Sequence, residues 1–201
     1  MLEKLVKVKE RVEMNNVMDT MTEYRDRTRV EIENLCPWSV GFKSYTIPGD
    51  GNHSVIVPGS EFAVDGTRKK SIYRQLTLEE VITQISRENS AFCGVDGKGT
   101  HAAFRICDFE LYKVAFDLSD ATEYPIQLTQ EEIDKLLKIK EPKKFKAKMD
   151  ELVVTESEKY TLAIAVSNYE HFEEISFKIL QLIEKKTGRT WTEKIAGLEE
   201  K

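Results

Sequence analysis

The stretch from Leu76 to Cys107 constrains the fold most, because it predicts a helix, a turn and a strand in succession. Thr77 and Glu80 match a capping box, in which the threonine hydroxyl accepts a hydrogen bond from a first-turn amide and the glutamate reaches back to the cap. Three apolar residues follow at helical spacing: Val81, Ile82 and Ile85. We therefore predict one helix over residues 77–89.

The second half of this stretch predicts a β-hairpin. Phe92 and Cys93 are expected to begin an extended segment. Asp96–Gly99 contains residues that tolerate positive φ, so the chain is expected to reverse there. Apolar side chains then alternate along residues 101–107: Ala102, Phe104 and Ile106. The expected product is a small sheet with one helix packed across it, which is a scaffold and not by itself a reaction centre.

The first 27 residues predict a helical arm at the N-terminus. Five residues at helical spacing would form one apolar stripe on an otherwise charged helix: Met14, Val17, Met18, Met21 and Tyr24. Methionine is flexible and polarizable, so such a stripe suits an adaptable contact surface. Two uses stay open, packing on the helix's own domain or docking on another subunit. These five residues are the candidate partner-binding set.

Residues 28–117 predict a small β-rich domain that carries the helix at 77–89. Short alternating apolar segments, separated by proline and glycine, predict strands at residues 30–35, 40–45, 54–57 and 62–64. Leu111, Val114 and Phe116 predict one further strand. This pattern favours a β-barrel or sandwich with one helix across an end.

Residues 118–201 predict a helical subdomain, set off by the polar segment 117–125 that ends in proline. Capping boxes at Thr129–Glu132 and Thr155–Glu158 open two helices, and Pro142 opens a third. Helices this short are marginal alone in water, so they must pack together or on the β-rich part. The predicted class is α+β, with a helical arm, a β-rich domain and a helical subdomain.

Composition narrows the environment and the partners. The chain has 201 residues, a net charge of −5 and three cysteines without a C-x-x-C pair. An acidic balance provides no global basic field for nucleic acid, and a disulfide framework is not expected. No apolar run approaches the ~18–20 residues that span a bilayer, so no membrane contact is expected. The charged N-terminal segment lacks a signal-peptide core, which predicts synthesis in a cytosol.

The candidate metal ligands are Cys93, His101 and Cys107, on or beside the predicted hairpin, with Cys36 and His53 on neighbouring strands or loops. Zinc takes four such ligands, but its sites in small domains usually pair ligands two to four residues apart, and these residues form no such pair. Free cysteine more often packs as a small hydrophobe. We therefore predict no metal and no cofactor.

A nucleophilic cysteine activated by His101 is a second chemical candidate, with any of the three thiols as its partner. A reactive thiol needs a lowered pKa, usually from a helix N-terminus or a cation, and none of the cysteines opens a predicted helix. The glycines of Gly94–Thr100 do not match a phosphate-binding loop, because the lysine falls between two glycines and a strand follows. The sequence predicts a protein that is not an enzyme.

Six lysines between Lys138 and Lys148 form the most basic stretch of the chain. Such a stretch could bind a nucleic-acid backbone. Glu141 and the acids at 150 and 151 punctuate it, and no aromatic platform accompanies it, so a solvated helix face is the favoured interpretation.

Three stretches in order carry a family resemblance: Glu33–Phe42, Leu76–Arg105 with its centre Gly94–Ala102, and Leu128–Thr155. Together they resemble accessory structural proteins encoded among the virion genes of tailed bacteriophages, over most of the chain past Thr28. The resemblance implies a non-enzymatic protein that binds the capsid or another virion part in many copies. It assigns no role to any single residue.

We therefore predict an auxiliary, decoration-type virion protein, located in a virion that is assembled in the host cytoplasm. Its expected partners are the major capsid protein or another head component, and a homo-oligomer is compatible with this role. Two alternatives stay open: a metal-binding or Cys/His-dependent enzyme module, and a nucleic-acid-binding adaptor that uses Lys138–Lys148.

Overall fold

The computed structural model of the protein describes residues 24–46, 53–59 and 73–191. Four stripe residues of the predicted arm, Met14, Val17, Met18 and Met21, lie outside the described residues, as does the predicted strand at 62–64. Residues 24–27 are helical, and Tyr24 is 49% exposed. In the described ranges, no helix is both long and apolar enough to span a membrane.

The strands in these ranges form two antiparallel sheets: β1 (Arg29–Asn34), β2 (Val40–Lys43), β3 (Ser54–Val57), β4 (Tyr73–Thr77) and β5 (Phe104–Ile106). One sheet has the order β4-β1-β5, and the other pairs β2 with β3. Ile32 in β1 lies opposite Arg74 on one side and Ile106 on the other. The α+β class is confirmed, but the described strands do not close into a barrel, because β4 and β5 remain edge strands and no hydrogen-bonded strand joins the two sheets.

In chain order the helices are α1 (Leu78–Ser86), α2 (Ser90–Cys93), α3 (Phe109–Phe116), α4 (Gln130–Leu137), α5 (Pro142–Leu152), α6 (Glu156–Ser167), a 3₁₀ turn (Phe172–Glu174) and α7 (Phe177–Thr187). Strand β5 lies between α2 and α3. Thr77, Thr129 and Thr155 each accept a hydrogen bond from the amide three residues on, as predicted. The reciprocal bond of a full capping box is present only at α6. The Glu80 side chain instead turns to the β2–β3 hairpin.

Two predictions in the β-rich region are wrong. Phe92 and Cys93 belong to α2, because the Asn89 side chain caps the amide of Ala91 and starts a helical turn. The predicted strand at 111–116 is helix α3, whose start is capped by Asp108 at a distance of 3.0 Å. Within the described part of residues 28–117, three helices are therefore present where one was predicted. Asp96–Gly99 connects a helix to β5 and does not join two strands.

Buried apolar side chains form two clusters. The sheet cluster contains the inward faces of both sheets with parts of α1, α2 and α3, from Val30 to Ala115, with Tyr124 packed against it. The helical cluster runs from Leu128 to Trp191 and contains the inward faces of α4 to α7. The division between the two clusters along the chain therefore falls between residues 124 and 128. The domain boundary at 117/118 stays a prediction, because it concerns which segments fold as independent units.

Hydrogen bonds fasten the β2–β3 hairpin onto α1. Glu80, only 3% exposed, accepts from the Ser44 hydroxyl at 2.5 Å and from the Thr46 amide at 3.2 Å. Gln84 donates both to Glu80 and to the carbonyl of Lys43, each at 2.7 Å. Burial acts to raise the pKa of Glu80, but the hydrogen bonds from Ser44, Thr46 and Gln84 outweigh it, so the pKa lies below its ordinary value.

Candidate functional site

A cavity of about 400 Å³ lies where the sheet region meets the N-terminus of α6, and we call it the junction pocket. Its walls come from the segment after β1, from α2 and the loop that follows it, and from the start of α6. The apolar part of its lining includes Leu35, Val40, Ala91, Ala102, Ala103 and Leu128. The polar part is Cys36, Ser90, His101, Thr155, Ser157, Glu158 and Thr161.

Glu158 is the polar centre of the junction pocket. Its Oε2 accepts hydrogen bonds from the amides of Val154 at 2.8 Å and Thr155 at 2.9 Å, and from the Thr155 hydroxyl at 3.1 Å. The carboxylate lies in the first turn of α6, where the helix dipole favours negative charge. Its position is therefore fixed by backbone donors, which leaves Oε1 for one more partner.

His101 provides that partner. Its Nδ1 lies 2.6 Å from Oε1 of Glu158, and the two side chains are only 7% and 9% exposed. Because Glu158 acts as an acceptor at both oxygens, we assign the shared hydrogen to Nδ1 of the imidazole. In a neutral imidazole this arrangement leaves a lone pair on Nε2, and Nε2 makes no hydrogen bond to another described residue.

The loop that carries His101 depends on Gly94. This residue has φ 63°, and a Cβ placed there would lie 1.9 Å from the carbonyl oxygen of Thr100. The close approach lets the amide of Val95 donate to that same carbonyl at 2.8 Å. His101 itself has φ 58° and donates its amide to the carbonyl of Ile126 at 2.7 Å. Gly94 is therefore required by the loop that positions His101, and not by a phosphate.

Cys36 enters the junction pocket from the opposite wall. The fully buried Asn34 holds this turn, because it accepts the amide of Cys36 at 2.9 Å and donates to the carbonyls of Trp38 and Val57. The Cys36 thiol lies 3.2 Å from the Ser157 hydroxyl of α6. The sheet region and α6 thus contact each other through polar groups on both sides of the pocket.

Two exposed aromatic residues contact each other beside the pocket, and we call them the aromatic pair. Trp38 and Tyr160 pack edge to face, with ring centroids 5.3 Å apart. They are 36% and 46% exposed, and the guanidinium of Arg189 lies over the Tyr160 ring at 5.1 Å. Trp38 also lines the pocket, so the pair forms an aromatic rim at its mouth.

The three candidate metal ligands, Cys93, His101 and Cys107, do not assemble. The Cys93 thiol donates to the carbonyl of Ile85 at 3.5 Å, while His101 pairs with Glu158. Burial raises the pKa of Cys93, and burial with the nearby Glu33 and Glu31 carboxylates raises the pKa of Cys107 to about 12. Within the described ranges, no group of three or more histidine, cysteine or acidic side chains is arranged to hold a metal.

The lysine-rich stretch carries little unbalanced charge. Four of its lysines form ion pairs with carboxylates of the same chain: Lys140, Lys144, Lys146 and Lys148. Exposed pairs of this kind contribute little to stability, but they place negative charge beside each ammonium group. A phosphate backbone would meet these carboxylates as well as the lysines, which disfavours the nucleic-acid alternative.

A second cavity, of about 450 Å³, lies between β5 and the helical region. Gln127 donates from Nε2 to the carbonyls of Gly99 and Phe104, at 3.0 and 3.3 Å. Among the described residues, its Oε1 and the Nε of Arg105 have no partner, and the Arg105 guanidinium lies 4.5 Å from the Tyr124 ring centroid. Both unpartnered atoms are enclosed by protein, so this cavity offers less to a ligand than the junction pocket does.

The sequence indicated two members of the junction pocket as candidate functional residues, His101 and Cys36, but not the residues that surround them in the pocket. Glu158 was recognised only as a capping residue, and that capping box was the one available signal for the site. No local pattern indicated that Trp38 and Tyr160 would contact each other, because they lie on segments more than a hundred residues apart.

Comparison with known proteins gives no match to this chain, whether among family models, curated proteins or solved structures. The site therefore has to be interpreted from the chemistry of its own residues.

Proposed function

We propose that this protein is a non-enzymatic docking protein of a tailed-phage virion, in an auxiliary, decoration-type role. It binds the major capsid protein or another head component in multiple copies. The observation that carries the docking role is the aromatic pair at the mouth of the junction pocket. Buried aromatic anchors in pockets supply much of the binding energy at protein interfaces. The virion setting comes from the family resemblance.

The remaining parts of the chain have defined roles in this proposal. The two sheets, in a sandwich-like arrangement, form a rigid docking body with the helices packed against it. The predicted N-terminal arm, with Met14, Val17, Met18, Met21 and Tyr24, adds a second contact to the same partner or to another copy of the chain. Two weak contacts on one chain give a large gain in avidity when they bind one assembly.

Co-sedimentation of the purified protein with assembled capsids tests this proposal. Trp38→Ala and Tyr160→Ala should each weaken binding by about tenfold or more, because truncating an interface aromatic commonly costs over ~1.4 kcal/mol. Phe177→Ala is the matched control, since this aromatic residue is 59% exposed and lies on α7, outside the pocket lining. Removal of the predicted arm, residues 1–27, should weaken binding further.

Two results would count against this function. Absence of binding to capsids and to every other virion part would reject the virion role. Binding that is unchanged in Trp38→Ala and Tyr160→Ala, with both variants folded, would remove the aromatic pair from the docking surface.

A Cys/His-dependent enzyme is the second candidate function, because Cys36 and His101 line the same pocket. A thiol nucleophile needs a base, and the base needs an orienting group, which here would be Glu158. A panel of activated esters provides the test. Time-dependent release that is lost in both Cys36→Ser and His101→Phe would favour the enzyme, while no release from the wild-type protein would favour docking alone.

A further inference from the structure

Most polar groups of the junction pocket are already committed to partners within the protein. The Thr155 hydroxyl donates to Glu158, and the Thr161 hydroxyl donates to the carbonyl of Ser157 at 2.9 Å. Both oxygens of Glu158 are occupied, one by backbone and hydroxyl donors and one by His101. Cys36 and Ser157 lie at hydrogen-bond distance from each other.

Nε2 of His101 is not committed in this way. With Nδ1 as the donor to Glu158, a neutral imidazole keeps Nε2 as an acceptor, on a ring whose orientation this contact fixes. A hydrogen-bond acceptor in a largely apolar cavity favours an occupant that brings a donor, because an unpaired polar group there loses its hydration without replacement. Because the ring orientation is fixed, the donor of the occupant has to approach Nε2 from one direction.

The charge and shape of the junction pocket restrict the occupant further. No lysine or arginine is found among its described lining residues, and Glu158 carries negative charge, so a phosphate or a carboxylate is disfavoured. A free ammonium group would lose its hydration against the apolar walls, where both Glu158 oxygens are already occupied. The volume of about 400 Å³ and the rim formed by Trp38 suit one flat aromatic group.

From these observations we infer that the junction pocket receives an aromatic side chain with a hydrogen-bond donor, a tryptophan or a tyrosine presented by the partner protein. Its ring packs between the apolar walls and Trp38, and its N–H or O–H donates to Nε2 of His101. This inference rests on the proposed docking function, because it names the anchor residue that the docking partner supplies.

Titration of the full chain with indole and with 1-methylindole tests the donor directly, because the two probes differ only in the methyl group that replaces the N–H hydrogen. We expect indole to bind about 3–10-fold more tightly, the gain of one net hydrogen bond. Phenol should show the same preference over anisole. In His101→Phe both preferences should disappear, and in Trp38→Ala both members of each pair should weaken by a similar factor.

Nitrogen NMR of His101 keeps the test decisive if His101→Phe fails to fold. In the wild-type protein the Nε2 resonance should shift with indole and not with 1-methylindole, a response that a purely structural histidine would not give. Equal affinity for the two indoles, or no binding by either, would overturn the inference.

A competition arm separates this inference from the proposed function. Indole should reduce co-sedimentation with capsids, and 1-methylindole should do so less effectively at the same concentration. A protein that prefers indole but binds no virion part would contradict the docking function and support the donor preference. A protein that binds capsids through Trp38 without preferring indole would support the docking function and contradict the donor preference.

Discussion

The helical cluster and the sheet cluster are each stabilised internally by a different kind of interaction. The helical cluster consists mainly of side chains from the inward faces of α4 to α7, together with Leu128, Val153 and Trp191, and its lysine–carboxylate ion pairs lie on the exposed surface. In the sheet region, by contrast, buried polar side chains join one element to the next: Asn34, Ser44, Glu80 and Gln84. Apolar packing tolerates small rearrangements, whereas a buried hydrogen-bond network specifies one arrangement and is costly when it is left incomplete.

The reason for this difference is the size of the elements. The β2–β3 hairpin has strands of four residues, which provide few apolar side chains for burial. Hydrogen bonds from Ser44 and Thr46 to Glu80 compensate by fixing the hairpin to α1. The helices α5 to α7 are 11 or 12 residues long and can each bury three or more side chains.

Phe145→Ala should have the largest effect on stability. Phe145 is fully buried in the helical cluster, and removal of a buried phenylalanine ring typically costs about 3–5 kcal/mol of unfolding free energy. Urea unfolding followed by circular dichroism measures this loss. Phe177→Ala is the control, with a change within about 0.5 kcal/mol, because that ring is 59% exposed. A cost below about 1 kcal/mol for Phe145→Ala would show that apolar packing does not dominate this region.

Glu80→Gln should have the next largest effect, and that effect should depend on pH. At neutral pH it should cost about 1–3 kcal/mol, because a buried acceptor of several hydrogen bonds is replaced by a group that brings unwanted N–H donors. The pKa of Glu80 is lowered in the folded protein, so the ionised carboxylate stabilises the fold above its ordinary pKa, and this contribution is lost as pH falls through the folded value.

The difference between wild type and Glu80→Gln should therefore shrink as the pH falls from about 7 to below 4. Thermal unfolding across this range provides the measurement. Glu110→Gln is the matched control, because its carboxylate is 76% exposed in a surface pair with Lys113. A difference that stays constant with pH would mean that ionised Glu80 does not stabilise the hairpin.

Glu158→Gln should have a smaller effect on stability and a specific effect on the junction pocket. A glutamine still fits a capping box, so the expected loss is about 0.5–1.5 kcal/mol. The amide can either accept from Nδ1 of His101 or donate to it, so the ring is no longer held as one tautomer. The preference for indole over 1-methylindole should fall accordingly. A preference that is retained in full would mean that Glu158 does not set the acceptor at Nε2.

Local sequence signals predicted the starts of three helices, but they missed α2, α3 and the polar contacts between segments. Thr77, Thr129 and Thr155 marked three helix starts, because a cap acts within its own first turn. Leu111, Val114 and Phe116 led to a wrong prediction of a strand, because the first spacing of three suits a helix, the second spacing of two suits a strand, and Asp108 was not recognised as a cap. The hydrogen bond between His101 and Glu158 joins residues 57 positions apart, and no local pattern predicts which two segments will meet.

Thiol labelling of Cys107 tests whether the sheet cluster and the helical cluster unfold independently. The label reports on the sheet region alone, because all three cysteines lie in that region. Burial and the nearby Glu33 and Glu31 carboxylates raise the pKa of Cys107 to about 12, so near neutral pH its thiol should react much faster when the sheet region opens than when it is closed. The two clusters share no buried apolar residue, so we expect each to open independently. Labelling of Cys107 in Phe145→Ala should then change by less than about threefold, although the helical cluster loses about 3–5 kcal/mol. Acceleration by a hundredfold or more would show that the two clusters unfold as one unit, and the predicted division into two folding units would be wrong.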